Sequence, residues 1–162
     1  MDINKSDIQI IPASLQHLKE IQKLNKMLFE KEYREYDKRL NLEWTFGEVG
    51  TAYYKKRISE KDGCVIVALV DKKIVGYLCG GIAKSYAYRK LPKVAELENM
   101  FVLEKYRSYG IGTVLYKAFI LWCKTQKVKM VNVHTSAKNT RAIAFYRKQG
   151  LKDYTLVLES EI

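Results

Sequence analysis

The chain has 162 residues, of which 48% are hydrophobic, with nine glycines, two prolines and a formal net charge of +11 at pH 7. This length suits a single domain covering residues 1–162 that folds without disulfides or metal, and the composition excludes a low-complexity, repetitive or disordered chain. Because the first residues lack the pattern of an export signal and no apolar run reaches the ~20 residues of a bilayer span, we expect a soluble, cytoplasmic protein with no membrane partner.

The first half of the chain predicts a strand, two helices and a hairpin. Residues 8–11 indicate the first strand, and apolar side chains between 15 and 28 recur at the spacing of a helix. A second helix is predicted over about 42–58. The apolar runs 64–70 and 74–82 are typical of buried strands, and the polar residues between them indicate a hairpin turn.

The second half alternates strands with helices. It predicts a strand over 94–103, a helix over 113–124, a strand over 129–135, a helix ending at 148 and a final strand over 151–158. The predicted order is βααβββαβαβ. This order favours an α/β (α+β) fold with a central mixed sheet, parallel where strands alternate with helices and flanked by helices on both faces.

A glycine-containing turn, residues 107–112 with the sequence RSYGIG, joins the strand over 94–103 to the following helix. Its glycines let the backbone approach a ligand, and the first N–H groups of the helix favour an anion. The turn lies at the carboxyl end of a strand, where such sheets bind ligands. It lacks the third glycine of a dinucleotide motif and the Gly-Lys-Ser/Thr of a nucleoside triphosphate loop. The turn therefore predicts a pyrophosphate site, with an ordinary strand-to-helix connection as the alternative.

Positive charge is concentrated around this glycine turn. From Lys105 to Lys152 there are eleven Lys or Arg residues and no Asp or Glu, whereas the rest of the chain carries 18 basic and 18 acidic residues. A field of this sign attracts a polyanion. A phosphorylated cofactor and a nucleic acid both satisfy this condition, and a basic surface without a ligand is the alternative.

Three isolated cysteines, Cys64, Cys79 and Cys123, lie in apolar runs. They show no Cys-x-x-Cys spacing, and the sequence predicts no metal site. An odd number of cysteines in such surroundings is typical of buried, reduced thiols in an intracellular protein.

Two separated segments resemble the GNAT superfamily of acetyl-CoA-dependent N-acetyltransferases. The first is residues 99–115, NMFVLEKYRSYGIGTVL, which is similar to the family's strand, pyrophosphate loop and helix. The second is residues 139–151, NTRAIAFYRKQGL, which is similar to the family's later helix and the start of the next strand. The likeness covers most of residues 7–158 and is specific only after residue 94.

This resemblance implies that acetyl-CoA is the acetyl donor. By the family's pattern, the amides of residues 108–113 hold the pyrophosphate, and the backbone of residues 100–102 pairs with the pantetheine arm. Asn139 is implied to contact the same arm, with a plain helix cap as the alternative. The implied cofactor-binding residues are Met100, Phe101, Val102, Arg107, Ser108, Tyr109, Gly110, Ile111, Gly112, Thr113, Asn139 and Tyr146.

The resemblance also implies the catalytic residues. Glu96 lies eleven residues before Arg107, where many relatives place the general base that deprotonates the amine, and Glu98 is predicted on the same strand face. A solvated strand face or pairing with lysines is the alternative for both carboxylates. Tyr146 takes the place of the general acid that protonates the departing thiolate, with an aromatic packing role as the alternative.

His134 marks a departure from one branch of the family. Ribosomal-protein alanine acetyltransferases usually carry a glutamate five residues before the helix Asn, where this chain has His134. A histidine can serve as a base near neutral pH, and a structural histidine is the alternative. The identity of the base is therefore open among Glu96, Glu98 and His134.

The resemblance predicts transfer of an acetyl group to a primary amine of a small molecule or peptide, by direct attack in a ternary complex. The acceptor site is implied to involve the first two helices with their connection and the loop near Tyr86. Acidic residues and tyrosines alternate over 30–37 and could receive a cationic amine, with a solvated helix end as the alternative. The alternatives are a catalytically inactive acetyl-CoA sensor and a nucleic-acid-binding module, which the absence of a known nucleic-acid motif disfavours. The oligomeric state is open, with a homodimer as one candidate.

Overall fold

The computed structural model describes residues 7–85 and 87–162 and has the predicted architecture up to its last strand. The strands are β1 (Ile8–Pro12), β2 (Gly63–Val70), β3 (Lys73–Ile82), β4 (Val94–Val102) and β5 (Met130–Val133), and the helices are α1 (Leu18–Glu35), α2 (Glu48–Ser59), α3 (Ile111–Thr125) and α4 (Thr140–Lys148). Strands β1 to β5 form one sheet in this order. Pairing is antiparallel up to β4 and parallel between β4 and β5, which confirms the mixed sheet.

The hairpin of β2 and β3 forms the centre of the sheet. Both strands are buried over most of their length, as expected for continuous apolar runs without polar alternation. The turn between them places Asp71 and Lys72 at positive φ values of 49° and 63°. Two successive residues of this conformation match the right-handed twist of the strands that they join.

Helices cover both faces of the sheet, as predicted. On one face, α3 contributes Leu115 and Phe119 to an apolar cluster with Leu78 and Leu97. On the other face, Ile21 of α1 joins a second cluster, to which α2 also contributes. The three cysteines are buried and unpaired in this core, as the sequence predicted. Among the residues described, no helix has the length and apolarity needed to cross a membrane.

The predicted final strand over 151–158 is wrong. These residues form no strand, and those after Leu151 lie at the surface, with Tyr154 79% and Leu158 84% exposed. Their aromatic and branched side chains favour an extended backbone, but a strand also needs a partner along its edge. Instead, polar contacts hold this segment, including ion pairs of Asp153 with Arg147 and of Glu159 with Arg39.

A β-bulge interrupts β4 between Leu97 and Asn99. Gly80 lies opposite Leu97 and Cys79 opposite Asn99, so Glu98 is an extra residue with no counterpart in β3. The bulge reverses the alternation of side chains along the strand. Leu97 packs on the α3 face, whereas Phe101, four residues later, packs on the face of α1 and α2.

Candidate active site

The parallel ladder between β4 and β5 is short, and the two strands are no longer paired beyond its end. Pairing begins at Val94 and stops where Leu97 lies opposite Val133. Strand β4 continues to Val102 with β3 on its other side. Within residues 7–85 and 87–162, no strand therefore neighbours one edge of the second half of β4, and this open edge leads to the glycine turn.

The alternation of hydrogen bonds decides which backbone groups face the open edge. Leu103 N–H donates to Val75 O at 2.9 Å, so these two residues form a hydrogen-bonded pair across β3 and β4. In an antiparallel ladder every second residue forms such a pair. The backbone groups of Phe101 therefore face β3, and those of Met100 and Val102 point to the open edge.

The glycine turn exposes the N-terminus of α3. Ser108 and Gly110 adopt positive φ values of 70° and 84°, and the helix begins at Ile111. The bond from Val114 N–H to Gly110 O, at 3.1 Å, closes its first turn, which leaves earlier N–H groups without a helical acceptor. A Cβ placed on Gly110 meets no atom of the described part of the chain within 4 Å, so the space beside this backbone is open there. This donor set fits a diphosphate such as that of coenzyme A.

Arg107 braces the glycine turn from within the protein. Its Nε donates to the carbonyl oxygen of Val102 at 2.9 Å, and its guanidinium carbon lies 5.2 Å from the centre of the Phe101 ring. The Arg107 side chain therefore contacts the end of β4. Tyr109, another predicted cofactor-binding residue of the turn, is half-buried.

The second predicted motif packs against the first. A Cβ built on Gly112 would lie 3.5 Å from the ring of Phe145 and 3.9 Å from the side chain of Met100, so α4, α3 and β4 meet here. At the start of α4, Oδ1 of Asn139 accepts a hydrogen bond from Ala142 N–H at 3.0 Å. Asn139 is therefore a helix cap, the alternative considered from the sequence, and a cofactor contact remains compatible with it.

Glu96 and His134 face each other across the end of the ladder. Nε2 of His134 lies 3.9 Å from Oε1 of Glu96, with the histidine side chain 76% exposed and the glutamate 33% exposed. The two residues come from β4 and from the position after β5. Two of the three candidate bases thus lie together and are accessible to solvent.

Glu98 is more enclosed than Glu96. Its side chain is 17% exposed, as is that of its partner Arg57, whose Nε donates to Oε2 at 3.0 Å and whose Nη2 donates to Oε1. The hydroxyl of Tyr53 also donates to Oε2. Both carboxylate oxygens of Glu98 are therefore engaged by side chains of α2.

Tyr53 and Arg57 were not predicted as partners of Glu98. They lie four residues apart, the spacing that places two side chains on one face of a helix. That spacing indicates that the two side chains share a face of α2, but it does not indicate which strand residue this face contacts. Alternation along β4 already places Glu98 on this face, and the bulge, which the sequence does not reveal, brings Asn99 to it as well.

Tyr146 is half-buried in α4 beside Phe145, with the two ring centres 5.2 Å apart. Burial, with a smaller contribution from the negative charge of Glu32, raises the pKa of the Tyr146 phenol above its usual value of 10. The phenol thus stays protonated at neutral pH, as a proton donor must. Its packing beside Phe145 also fits the aromatic role considered from the sequence.

The acidic residues near the end of α1 differ in their surroundings. Hydrogen bonding to Lys31 lowers the pKa of Glu35, and backbone hydrogen bonding to Arg39 lowers that of Asp37. Burial raises the pKa of Glu32 instead. Tyr86, predicted beside the acceptor site, lies outside the described residues.

Comparison with known proteins identifies the family. Residues 18–151 match the sequence model described as the acetyltransferase (GNAT) family. An N-alpha-acetyltransferase of Sulfurisphaera tokodaii is 30% identical over 106 residues, which cover 62% of this chain and 64% of that protein. An uncharacterized N-acetyltransferase of Archaeoglobus fulgidus is 34% identical over 102 residues, covering 62% of this chain and 67% of that protein.

A solved structure agrees with the fold. The aminoglycoside N-acetyltransferase AAC(6')-Iy, determined in complex with CoA, superposes with a TM-score of 0.75 at 19% identity. The match covers 96% of this chain and 94% of that one. At this identity the likeness supports the shared architecture.

Proposed function

The chain belongs to the acetyltransferase (GNAT) family, and on that premise we propose that it transfers the acetyl group of acetyl-CoA to a primary amine. The acceptor is a small molecule or a peptide, and the amine attacks the thioester directly within a ternary complex. The open edge of β4, which leads from Leu97 to the glycine turn, carries this proposal. It offers backbone groups to an extended ligand arm immediately before a site suited to a diphosphate.

Backbone groups at the open edge and the glycine turn bind the donor substrate. The N–H groups at the start of α3 hold the diphosphate. The backbone of Met100 and the N–H group of Val102 pair with the pantetheine arm, since the Val102 carbonyl oxygen already accepts a hydrogen bond from Arg107. An N–H group near Met100 polarises the thioester carbonyl as negative charge develops on its oxygen. Residues 105–152, with eleven basic and no acidic side chains, raise the local concentration of the anionic donor.

Glu96 is the proposed general base. A primary amine is mostly protonated at pH 7 and attacks only as the neutral base, so a nearby proton acceptor accelerates the reaction. The carboxylate of Glu96 is 33% exposed and can approach an amine, whereas both oxygens of Glu98 already accept hydrogen bonds from α2. These contacts support Glu96 over Glu98, and His134 lies close enough to share the role.

Tyr146 is the proposed general acid. Its phenol donates a proton to the sulfur as the bond between carbon and sulfur breaks, so that coenzyme A leaves as the thiol. Burial keeps the pKa of this phenol above 10, and the group therefore carries a proton throughout the physiological range.

Two classes of acceptor are supported by related proteins. The Sulfurisphaera relative is an N-alpha-acetyltransferase, which favours the α-amine of a peptide. The structural neighbour is an aminoglycoside N-acetyltransferase, which favours a polycationic small molecule. His134 replaces the glutamate usual in ribosomal-protein alanine acetyltransferases, and this difference weighs against that branch.

Thiol release from acetyl-CoA tests the proposal. The purified protein is incubated with acetyl-CoA and, in separate reactions, with peptide amino termini, aminoglycosides, polyamines and free amino acids. We expect amine-dependent release of thiol by the wild type and a marked loss in Glu96→Gln. Acetyl-CoA that raises the melting temperature without any thiol release would indicate a sensor. Binding to nucleic acid that falls steeply with salt, without stabilisation by acetyl-CoA, would indicate the nucleic-acid module.

A further inference from the structure

A polar cluster between α2 and β4 is not used by the proposed chemistry. At its centre Arg57 donates two hydrogen bonds to the carboxylate of Glu98, one on each oxygen. Such a two-point contact fixes the relative orientation of two side chains as well as their separation. The pair is 17% exposed on each side, so solvent competes little with it.

Two adjacent tyrosines of α2 extend the contact to the next residue of β4. The hydroxyl of Tyr53 donates to Glu98 and accepts a hydrogen bond from Nδ2 of Asn99 at 3.2 Å. The hydroxyl of Tyr54 donates to Oδ1 of Asn99 at 3.0 Å. Three side chains of one helix therefore hold the two consecutive strand residues at the bulge.

Gly81 of β3 makes room for this arrangement. A Cβ built at this position would lie 2.5 Å from Nη1 of Arg57, closer than real Cβ atoms approach other atoms. The guanidinium thus reaches Glu98 across β3 at a point where no side chain intervenes. The bulge contact depends on a close approach that glycine permits.

The bulge lies where β4 separates from β5. Leu97 is the last residue of β4 paired with β5, and Glu98 is the next residue. The extra residue also reverses the alternation of the strand, so it sets which backbone groups beyond it face the open edge. The direction of the Met100 N–H group therefore depends on the geometry of Glu98 and Asn99.

We propose that Tyr53 and Arg57 are positioning residues for acetyl transfer, which act through Glu98 and Asn99 to hold the bulge and direct the Met100 backbone at the thioester. This inference rests on the proposed function. A buried ion pair contributes little net stability, because desolvation offsets most of the attraction between its charges. The cluster instead fixes one conformation of β4 at the bulge. A small displacement there would misalign the reacting atoms.

The test separates the chemical step from binding of the donor. In Tyr53→Phe, which removes one hydroxyl, we expect kcat at saturating substrates to fall about tenfold. The Kd for coenzyme A, measured by calorimetry, is expected to stay within about twofold, because the diphosphate site at the N-terminus of α3 is untouched. Arg57→Lys keeps the charge but loses the two-point contact. It should likewise lower kcat while leaving the Kd for coenzyme A nearly unchanged.

Tyr154→Phe is the matched control, since it makes the same chemical change in the exposed segment after α4, where the ring centre lies 5.5 Å from the guanidinium carbon of Arg89. Its kcat is expected to equal that of the wild type. Amide hydrogen exchange over residues 98–102 adds a readout that needs no turnover, and we expect it to be faster in Tyr53→Phe than in Tyr154→Phe.

The outcomes distinguish the two proposals. A wild-type protein that releases no thiol with any amine would overturn the proposed function, and with it the role in acetyl transfer. An active wild type with unchanged kcat and unchanged exchange in Tyr53→Phe would overturn the positioning role alone. A kcat loss that only matches a loss of folded protein, seen by circular dichroism, would likewise contradict positioning.

Discussion

Nε2 of His134 lies 3.9 Å from Oε1 of Glu96, beside the last paired residues of β4 and β5. The two side chains reach this position from different strands, so the contact exists only because the parallel ladder forms. In the proposed reaction, an amine that approaches the open edge of β4 meets both groups. Single substitutions separate their contributions.

Replacing Glu96 by Gln should lower kcat about 100-fold, because the amide keeps the shape of the side chain but accepts no proton. His134→Gln should lower it less than about tenfold, since the carboxylate remains. Thiol release across pH 6 to 9 measures both rates. If His134→Gln causes the larger loss, the base is His134 and the carboxylate only orients it.

The two glycines of the turn are expected to differ in their sensitivity to substitution. Gly110 has a φ of +84°, so Gly110→Ala should destabilise the protein by about 1 kcal/mol and also weaken coenzyme A binding. Gly112→Ala should be tolerated, since the added methyl group would lie 3.5 Å from Phe145, an ordinary contact distance. Urea unfolding and calorimetry with coenzyme A compare the two variants. Equal loss of affinity in both would contradict this orientation of the turn.

Tyr146→Phe should lower kcat about 100-fold at pH 7, where the departing sulfur requires a proton. A thiol has a pKa of about 8.5, so above this pH the thiolate departs without a donor and the defect should shrink. The ratio of wild-type to variant rates at pH 7 and pH 9.5 measures this effect. A ratio that does not change with pH would assign Tyr146 to packing beside Phe145.

Local sequence patterns predicted most of this architecture, because most elements depend on near neighbours. Each such pattern arises because a single element buries its apolar side chains in the adjacent core. The apolar runs of β2 and β3 and the helical spacing in α3 are examples. The predicted strand over 151–158 was wrong because its residue types favour an extended backbone but do not ensure that a sheet edge is available to pair with it. A strand forms only when a second segment pairs with it, and a local sequence pattern shows the first segment but not its partner.

The site shows the same division between local and distant information. The glycine turn and the cap at Asn139 are local, and both were predictable from their residue types. The pairing of Glu98 with Arg57 joins residues 41 positions apart, and alternation along β4 predicted the face of Glu98 but neither this partner nor the bulge that turns Asn99 to the same face. The closeness of Glu96 to His134 likewise required the register of two strands.

Buried tyrosines should make the protein sensitive to alkaline pH. Tyr54 and Tyr77 are fully buried, with their hydroxyl oxygens 3.4 Å apart, and burial raises the pKa of both phenols above the usual 10. Above about pH 10 the unfolded chain loses these protons while the folded protein keeps them, so unfolding becomes more favourable as pH rises. The stability that these groups contribute is therefore complete below about pH 10 and is lost progressively above it.

Replacing Tyr54 by Phe removes one of these groups. The free energy of unfolding should then fall less steeply above about pH 10, by about 1.4 kcal/mol per pH unit, although the variant starts from a lower stability without the hydrogen bond to Asn99. Urea unfolding between about pH 8 and 11 measures the slope, with Tyr33→Phe as the control for a less buried phenol. An unchanged slope in Tyr54→Phe would mean that Tyr54 ionises in the folded protein, and the packing between α2 and β3 would then be looser than the contacts indicate.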